Sequence, residues 1–150
     1  MKNSNYEFRK VSADDYEYVY HLKKEAYKKY VELNFGPWDE TQQRIFFERF
    51  IDSCGDRIFI ITVDGQDTGF YNFEENKTEY EIGNICLEPQ FRGMGIGTAI
   101  LSDILENNSD KEIHLQYFKQ NPVGALYKRL GFEPAGESAS HFKMVRKAGV

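Results

Sequence analysis

The stretch Gln90–Gly97 reads QFRGMGIG and carries glycine at three alternate positions, 93, 95 and 97. It follows an apolar run that ends at Leu87, and it precedes a helical pattern whose apolar face is Ile96, Ile100, Leu101, Ile104 and Leu105. The first turn of a helix has N–H groups without partners and a positive dipole end, which together attract anionic oxygen. Side chains at these three positions would block that approach. The pattern predicts a phosphate-binding loop, and the alternative is a tight turn alone.

Two common phosphate-binding patterns do not fit this stretch. The dinucleotide fingerprint G-x-G-x-x-G would need glycine at Thr98 or Ile100, so NAD is not expected. The Walker A pattern would need Lys followed by Ser or Thr after the last glycine, so ATP hydrolysis is not expected either. Arg92, directly before the glycines, is placed to add a charge-assisted hydrogen bond to a phosphate.

Composition narrows the class of protein. The 150 residues fit one domain, and 41% hydrophobic with 29% charged residues is typical of a folded soluble protein without a membrane span. The formal net charge of −5 argues against nucleic acid as a partner. The N-terminal MKNSNYEFRK lacks the apolar core of a signal peptide, and Cys54 and Cys86 have no metal-binding spacing. We therefore expect a cytoplasmic protein that binds no metal.

Hydrophobic periodicity predicts a chain that mixes strands and helices. The predicted elements before the glycines are strands at 6–11, 57–63, 67–74 and 78–87, a helix from Ser12 to the stop at 34–37, and a helix over 40–51. Ser12 and Asp15 have the spacing of a helix cap. Asp64-Gly65 supplies the positive φ angles of a tight hairpin, so the strands around it should pair antiparallel.

A second strand-then-helix unit is predicted near the C-terminus. Ile113, Leu115 and Tyr117 recur at the period of a strand, and residues 122–130 have helical apolar spacing before a Gly131 C-cap. If this strand lies parallel to the one that ends at Leu87, both carboxyl ends point to the side where open sheets bind ligands.

Two blocks of this sequence resemble the GNAT superfamily of acetyl-CoA-dependent acyltransferases. Arg92–Gly97 matches R-x-x-G-x-G, the pyrophosphate loop of that family. Residues 115–132, LQYFKQNPVGALYKRLGF, resemble its L-x-V-x-x-x-N-x-x-A-x-x-x-Y-x-x-x-G-F region, with the Ala/Leu/Tyr run compressed and Tyr117 where Val is usual. The likeness extends from Arg57 to the C-terminus and fades in the N-terminal helices.

The resemblance implies a fold and a co-substrate. The fold is a single α/β domain over residues 1–150, with a mostly antiparallel sheet of six or seven strands flanked by helices. Strands 4 and 5, which are parallel, would splay to form the acetyl-CoA cleft. The implied cofactor-binding residues are Ile85, Cys86, Leu87, Arg92, Gly93, Met94, Gly95, Ile96, Gly97, Thr98, Asn121 and Tyr127. Ile85–Leu87 would contribute backbone hydrogen bonds, and we expect Cys86 to be a small buried residue rather than a nucleophile.

The resemblance also implies catalytic roles. Tyr127 would protonate the departing thiolate, a role that suits its ordinary pKa of about 10, and the alternative is that it only packs in the core. Some relatives have a glutamate five residues before the asparagine, but Gln116 stands there and cannot accept a proton. Glu81 matches another carboxylate position of the family and is the predicted base, directly or through water. His114 is the weaker candidate, since a lone strand histidine is more often structural.

The acceptor is predicted only as a class, a primary amine on a small molecule or a peptide. The N-terminal helices are rich in aromatic residues, most of which belong in a core. Phe35–Trp38 is the segment expected to touch substrate, with Asp39 and Glu40 attracting an amine or serving the helix dipole. A non-catalytic acyl-CoA-binding sensor is the alternative function. A homodimer is one assembly that the sequence leaves open.

Overall fold

The computed structural model describes residues 6–149, and these form seven strands and four α-helices. The first half of the N-terminal stretch that lacks a signal-peptide core, Met1–Asn5, lies outside the described residues. The strands are β1 Tyr6–Lys10, β2 Ile58–Val63, β3 Gln66–Glu75, β4 Glu79–Leu87, β5 Glu112–Phe118, β6 Glu133–Glu137 and β7 His141–Arg146. The helices are α1 Tyr16–Phe35, α2 Glu40–Cys54, α3 Ile96–Asn107 and α4 Gly124–Arg129.

The seven described strands belong to one mixed sheet in the order β1-β2-β3-β4-β5-β7-β6. Pairing is antiparallel between β1 and β2, β2 and β3, β5 and β7, and β6 and β7. β4 and β5 are parallel, with Glu79 opposite Glu112, Tyr80 opposite Ile113 and Glu81 opposite His114. The predicted α/β fold class, the mostly antiparallel sheet and the parallel fourth and fifth strands are confirmed.

The chain divides into two compact units. The first comprises the described residues up to Asn72 together with Asn84–Leu101, and the second comprises Phe73–Gly83 together with the described residues from Ser102 onward. In the first unit, α1 and α2 pack on the sheet around a buried cluster of Val19, Tyr20, Leu22, Phe47, Cys54, Ile58, Ile60, Phe70 and Cys86. In the second, Ile113, Leu115, Phe132, Met144 and Val145 are buried.

Local sequence signals account for most element boundaries. Asp64 and Gly65 have φ of 52° and 80°, so the predicted hairpin between β2 and β3 is confirmed. The Asp15 carboxylate accepts the Ser12 N–H at 2.9 Å in the predicted cap. A short 3-10 turn over residues 13–15 precedes α1. This helix ends at Phe35, and Gly36, with φ of 91°, is its C-cap.

Two helices differ in length from the prediction. α2 continues three residues past the predicted end at Ile51, because Cys54 is buried in the core cluster of the first unit. α4 is shorter than residues 122–130 and begins at Gly124. Gly131, whose φ is 95°, caps the end of this helix as predicted, and the Phe132 N–H donates to the Tyr127 carbonyl at 3.0 Å in a Schellman motif.

Glycine at position 69 of β3 is required by the approach of β4. A Cβ at Gly69 would lie 2.1 Å from the carbonyl oxygen of Cys86, far inside van der Waals contact. The Glu88 N–H donates to the Thr68 carbonyl at 2.8 Å just beyond this point. The backbone of β4 near its carboxyl end is therefore held against β3 by close packing and hydrogen bonding.

The Arg9–Asp15 ion pair should make stability depend on acidic pH. Arg9 Nη2 lies 2.8 Å from Asp15 Oδ1 and 2.9 Å from Asp67 Oδ2, and this guanidinium lowers the pKa of Asp15 from 3.8 to about 2. Because the pKa is depressed on folding, the stabilisation is complete above the unfolded pKa and is lost as the pH falls toward about 2. Asp15→Asn should lower the free energy of unfolding by about 1 kcal/mol at neutral pH. The effect is small because Arg9 is solvent-exposed and water weakens the ion pair.

Urea denaturation at pH 7 and at pH 2.5–3 measures this difference. We expect the gap between the parent protein and Asp15→Asn to shrink in acid. The matched control is Asp14→Asn, because Asp14 is the exposed neighbouring carboxylate. A gap that stays constant across the pH range, or an equal loss in both variants, would contradict the ion-pair explanation.

Candidate active site

The predicted phosphate loop is a sharp turn between β4 and α3. β4 ends at Leu87, a 3-10 turn covers Pro89–Phe91, and α3 begins at Ile96. Gly93 and Gly95 have φ of 75° and 82°, angles that residues with a side chain rarely adopt. The turn therefore requires both glycines irrespective of any ligand.

The first turn of α3 contains the backbone N–H groups that are predicted to bind an anion. The Gly95 carbonyl accepts the Ala99 N–H at 2.9 Å, so the N–H groups of Ile96, Gly97 and Thr98 lie ahead of the first intrahelical bond. No acidic side chain stands in the first turn of this described helix. A Cβ at Gly97 would lie 3.8 Å from the Leu87 side chain, an ordinary contact, so the backbone does not demand this third glycine.

Arg92 contacts helix α1. Its guanidinium forms a two-pronged ion pair with the Glu25 carboxylate, and its Nε donates to the Leu87 carbonyl at 3.0 Å. Arg92 therefore links the end of β4 to α1, a contact that sequence reasoning missed. Both side chains are near 44% exposed, which leaves the guanidinium reachable from solvent. Its contact with a phosphate stays a prediction.

A chain of hydrogen bonds runs behind the last residues of β4. The Cys86 thiol donates to the Tyr27 hydroxyl at 3.5 Å, and that hydroxyl donates to Asn84 Oδ1 at 2.7 Å. Asn84 Nδ2 in turn donates to Asn72 Oδ1 at 2.7 Å. Sequence reasoning missed this network, although asparagines within otherwise apolar strands were the available signal. The bonds fix β4 against β3 and α1 at the positions predicted to bind the cofactor.

Cys86 is a buried thiol, as expected. Its side chain is 3% exposed, and burial raises its pKa to about 11. At neutral pH the sulfur therefore stays protonated, which does not suit a nucleophile. Ile85 is half-buried and Leu87 is buried beside it at the end of the strand.

Tyr127 lies on α4 in the second unit. Its ring packs 5.6 Å from the ring of Tyr117 and 5.9 Å from that of Phe132, measured between centroids. Burial, with a smaller contribution from Tyr117, raises the pKa of Tyr127 above its ordinary value of 10. The hydroxyl therefore stays protonated at neutral pH, as a proton donor must.

Asn121 follows β5 in the turn that leads to α4. Its N–H donates to the Phe118 carbonyl at 2.9 Å, so the residue closes a turn before Pro122. The chain then enters α4 at Gly124. Glycine fits there beside Tyr117, because a Cβ at this position would lie 2.5 Å from the Tyr117 hydroxyl. These contacts give Asn121 a structural role, and its predicted bond to the cofactor stays a prediction.

Glu81 is an exposed carboxylate on β4, opposite His114 in the parallel register. It has no hydrogen-bonding or ionic partner among residues 6–149, so its oxygens are available to accept a proton. Gln116, the residue at the other family position, is exposed on β5 opposite Lys143. His114 instead contacts Glu79 and Glu112.

The acidic pair at the start of α2 is occupied by structural contacts. Asp39 caps the helix by accepting the Gln42 N–H at 3.0 Å. Glu40 accepts from Lys24, Trp38 and Tyr20 at 2.9–3.0 Å, and these bonds, led by that from Lys24, lower its pKa to about 2. Phe35, by contrast, is 68% exposed at the end of α1. Within the predicted contact segment Phe35–Trp38, the exposed side chains are therefore those of Phe35 and Pro37.

The aromatic residues of the N-terminal helices are mainly core residues, as expected. Tyr20, Tyr30 and Phe47 are buried, and Tyr20 packs edge-on to Phe47 at 5.3 Å between ring centroids. Lys23 is a cation within this apolar layer, with Nζ 3.9 Å from the Phe50 ring centroid, and burial lowers its pKa.

Within the described residues, every helix is too short or too polar to cross a bilayer.

Comparison with known proteins identifies the family. The family model of the acetyltransferase (GNAT) domain matches residues 54–134, which include β4, the glycine turn, α3, β5 and α4. This match covers more than half of the chain. The protein belongs to the GNAT acetyltransferase family, and the resemblance noted in the sequence is confirmed.

Individual relatives are distant. An uncharacterized N-acetyltransferase of Methanocaldococcus jannaschii is 28% identical over 154 residues, which cover 95% of this chain and 67% of that protein. A candidate ribosomal protein bS18-alanine N-acetyltransferase of Bacillus subtilis is 21% identical, over 89% of this chain and 85% of that protein. The PaiA N-acetyltransferase of Thermoplasma acidophilum, solved in complex with coenzyme A, has a TM-score of 0.67 at 22% identity, over 96% and 99% of the two chains.

Proposed function

We propose that this protein transfers the acetyl group of acetyl-CoA to a primary amine by direct attack within a ternary complex. The main support for the proposal is the left-handed turn at Gly93 and Gly95, which leads directly into the N-terminus of α3. This turn lies inside the segment that matches the GNAT family model. Anion binding at such a helix entrance is a general property of the backbone. A structural neighbour that holds coenzyme A supports the same co-substrate here.

The cofactor is bound mainly by backbone groups. The amides from Gly93 to Thr98 bind the pyrophosphate, and the exposed Met94 side chain covers the edge of that site. The backbone of Ile85–Leu87 bonds the pantetheine arm, which lies beside it in the manner of an added strand. The hydrogen-bond network through Asn84 and Tyr27 supports this role, because it holds that backbone in a fixed position before the ligand arrives.

The reaction requires one nucleophilic attack and two proton transfers. The neutral amine attacks the thioester carbonyl carbon, the C–N bond forms, and the C–S bond breaks as the tetrahedral intermediate collapses. Tyr127 gives its hydroxyl proton to the departing thiolate and regains one from solvent. Glu81 takes the proton that the amine loses, directly or through one water. Orientation and these transfers suffice because the thioester is already activated.

The acceptor belongs to the class of primary amines, on a small molecule or on a peptide. The Bacillus subtilis relative is named for an alanine amine of a ribosomal protein, which supports testing a peptide α-amine. Thiol release from acetyl-CoA, measured with a panel of small amines, polyamines, lysine peptides and alanine-ended peptides, tests the activity. Amine-dependent release supports the enzyme. Tight coenzyme A binding without release by any amine would favour the acyl-CoA sensor instead.

Removing the Tyr127 hydroxyl should slow the chemical step. Tyr127→Phe should lower kcat by about 100-fold, the usual scale for loss of a general acid. Its affinity for coenzyme A, measured by calorimetry, should stay unchanged because the ring is kept. Tyr117→Phe is the matched control, since it removes the hydroxyl of the neighbouring ring. Equal rates in the parent protein and Tyr127→Phe would rule out the assigned role.

Removing the Glu81 carboxylate should slow the reaction. Glu81→Gln should lower kcat/KM by about 100-fold near neutral pH, because the group that accepts the proton of the amine is lost. Glu106→Gln, which removes an exposed carboxylate on α3, is the control. If Glu81→Gln keeps the parental kcat/KM, the base lies elsewhere.

A further inference from the structure

Three potential metal ligands meet where β4 and β5 begin. Glu79 and Glu112 are opposite each other in the parallel register, and His114 follows Glu112 by two residues, so it lies on the same face of the sheet. One imidazole nitrogen and one oxygen of each carboxylate lie within 4.8 Å of one another. Two strands that are distant in sequence therefore supply a compact donor set of one nitrogen and two carboxylates.

The imidazole of His114 is oriented so that it makes no hydrogen bond to either carboxylate. His114 Nε2 lies 2.9 Å from Glu112 Oε1 and 3.3 Å from Glu79 Oε2. This nitrogen is nonetheless buried and makes no hydrogen bond, because neither oxygen lies in the direction of its N–H. With metal–ligand bonds of about 2.1 Å, adjacent ligand atoms are about 3.0–3.4 Å apart. The two nitrogen–oxygen distances are close to this range, and the two carboxylate oxygens lie within 4.8 Å of each other.

The two carboxylates of the cluster also favour binding of a cation. Among residues 6–149, no lysine or arginine lies within 4.0 Å of the carboxylate of Glu79 or Glu112. Lys111, next in the chain to Glu112, has its Nζ 3.5 Å from Glu75 instead. Glu79 and Glu112 together contribute two carboxylates with no lysine or arginine beside them, and a divalent ion would balance both.

We propose that Glu79, Glu112 and His114 bind a divalent transition-metal ion, with Zn²⁺ as the best match. Imidazole nitrogen together with carboxylate oxygen suits Zn²⁺, whereas Mg²⁺ prefers oxygen ligands alone. The ion joins the first residues of β4 and β5 and leaves a coordination position for water. Sequence reasoning, which predicted no metal, searched cysteine spacing and did not have the strand register that brings Glu79 to the other two ligands. His114 lies opposite Glu81 in the parallel register, but Zn²⁺ binding can be measured without any assay of acetyl transfer.

Calorimetry with ZnCl2 on tag-free, chelator-treated full-length protein tests the site. We expect one equivalent to bind with micromolar or tighter affinity and to raise Tm, and MgCl2 at the same concentration to do neither. His114→Gln should weaken Zn²⁺ binding at least tenfold. His21→Gln is the matched control, because His21 also lies near a carboxylate, Glu17 at 3.9 Å, but lacks a third ligand.

A second variant keeps the test decisive if His114→Gln does not fold. Glu79 is exposed, so Glu79→Gln should fold normally, as checked by circular dichroism, and should also lose Zn²⁺ affinity at least tenfold. Absence of binding by the parent protein would overturn the proposal. Equal weakening by His21→Gln, or full affinity in a folded Glu79→Gln protein, would do so as well.

Discussion

The structure of the candidate site depends on a left-handed backbone turn between β4 and α3. A strand that leads into a helix must reverse direction within a few residues, and here Gly93 and Gly95 take the φ angles that make the reversal possible. The helix begins immediately afterwards, so the N–H groups of its first turn have no intrahelical acceptor. In this way one conformational constraint produces both the chain connection and the helix entrance proposed to bind an anion.

The surrounding side chains hold that turn in place. Arg92 bonds the Leu87 carbonyl and the Glu25 carboxylate, and so connects the turn to the strand and to α1. Behind the strand, Asn84 and Tyr27 bond to each other. Such support suits the proposed cofactor binding, because a backbone that is already held in place loses less conformational freedom when a ligand binds.

The groups proposed for chemistry differ in their environments, and the differences fit their roles. Tyr127 is packed among rings, and burial keeps its hydroxyl protonated. Glu81 is exposed on its strand and has no hydrogen-bonding or ionic partner among residues 6–149. The buried Cys86 has a raised pKa, which supports direct attack by the amine over a covalent intermediate on this thiol.

The sequence by itself determined the local features: the hairpin at Asp64-Gly65, the cap at Ser12, the Gly131 helix end and the order of strand, glycine turn and helix. These depend on φ preferences and hydrophobic periods, which are properties of neighbouring residues. The tertiary structure alone decided that Arg92 pairs with Glu25, that α2 extends to the buried Cys54, and that Glu79 meets Glu112 and His114. Such contacts join residues far apart in the chain, and strand register and helix packing set them, which no local pattern encodes.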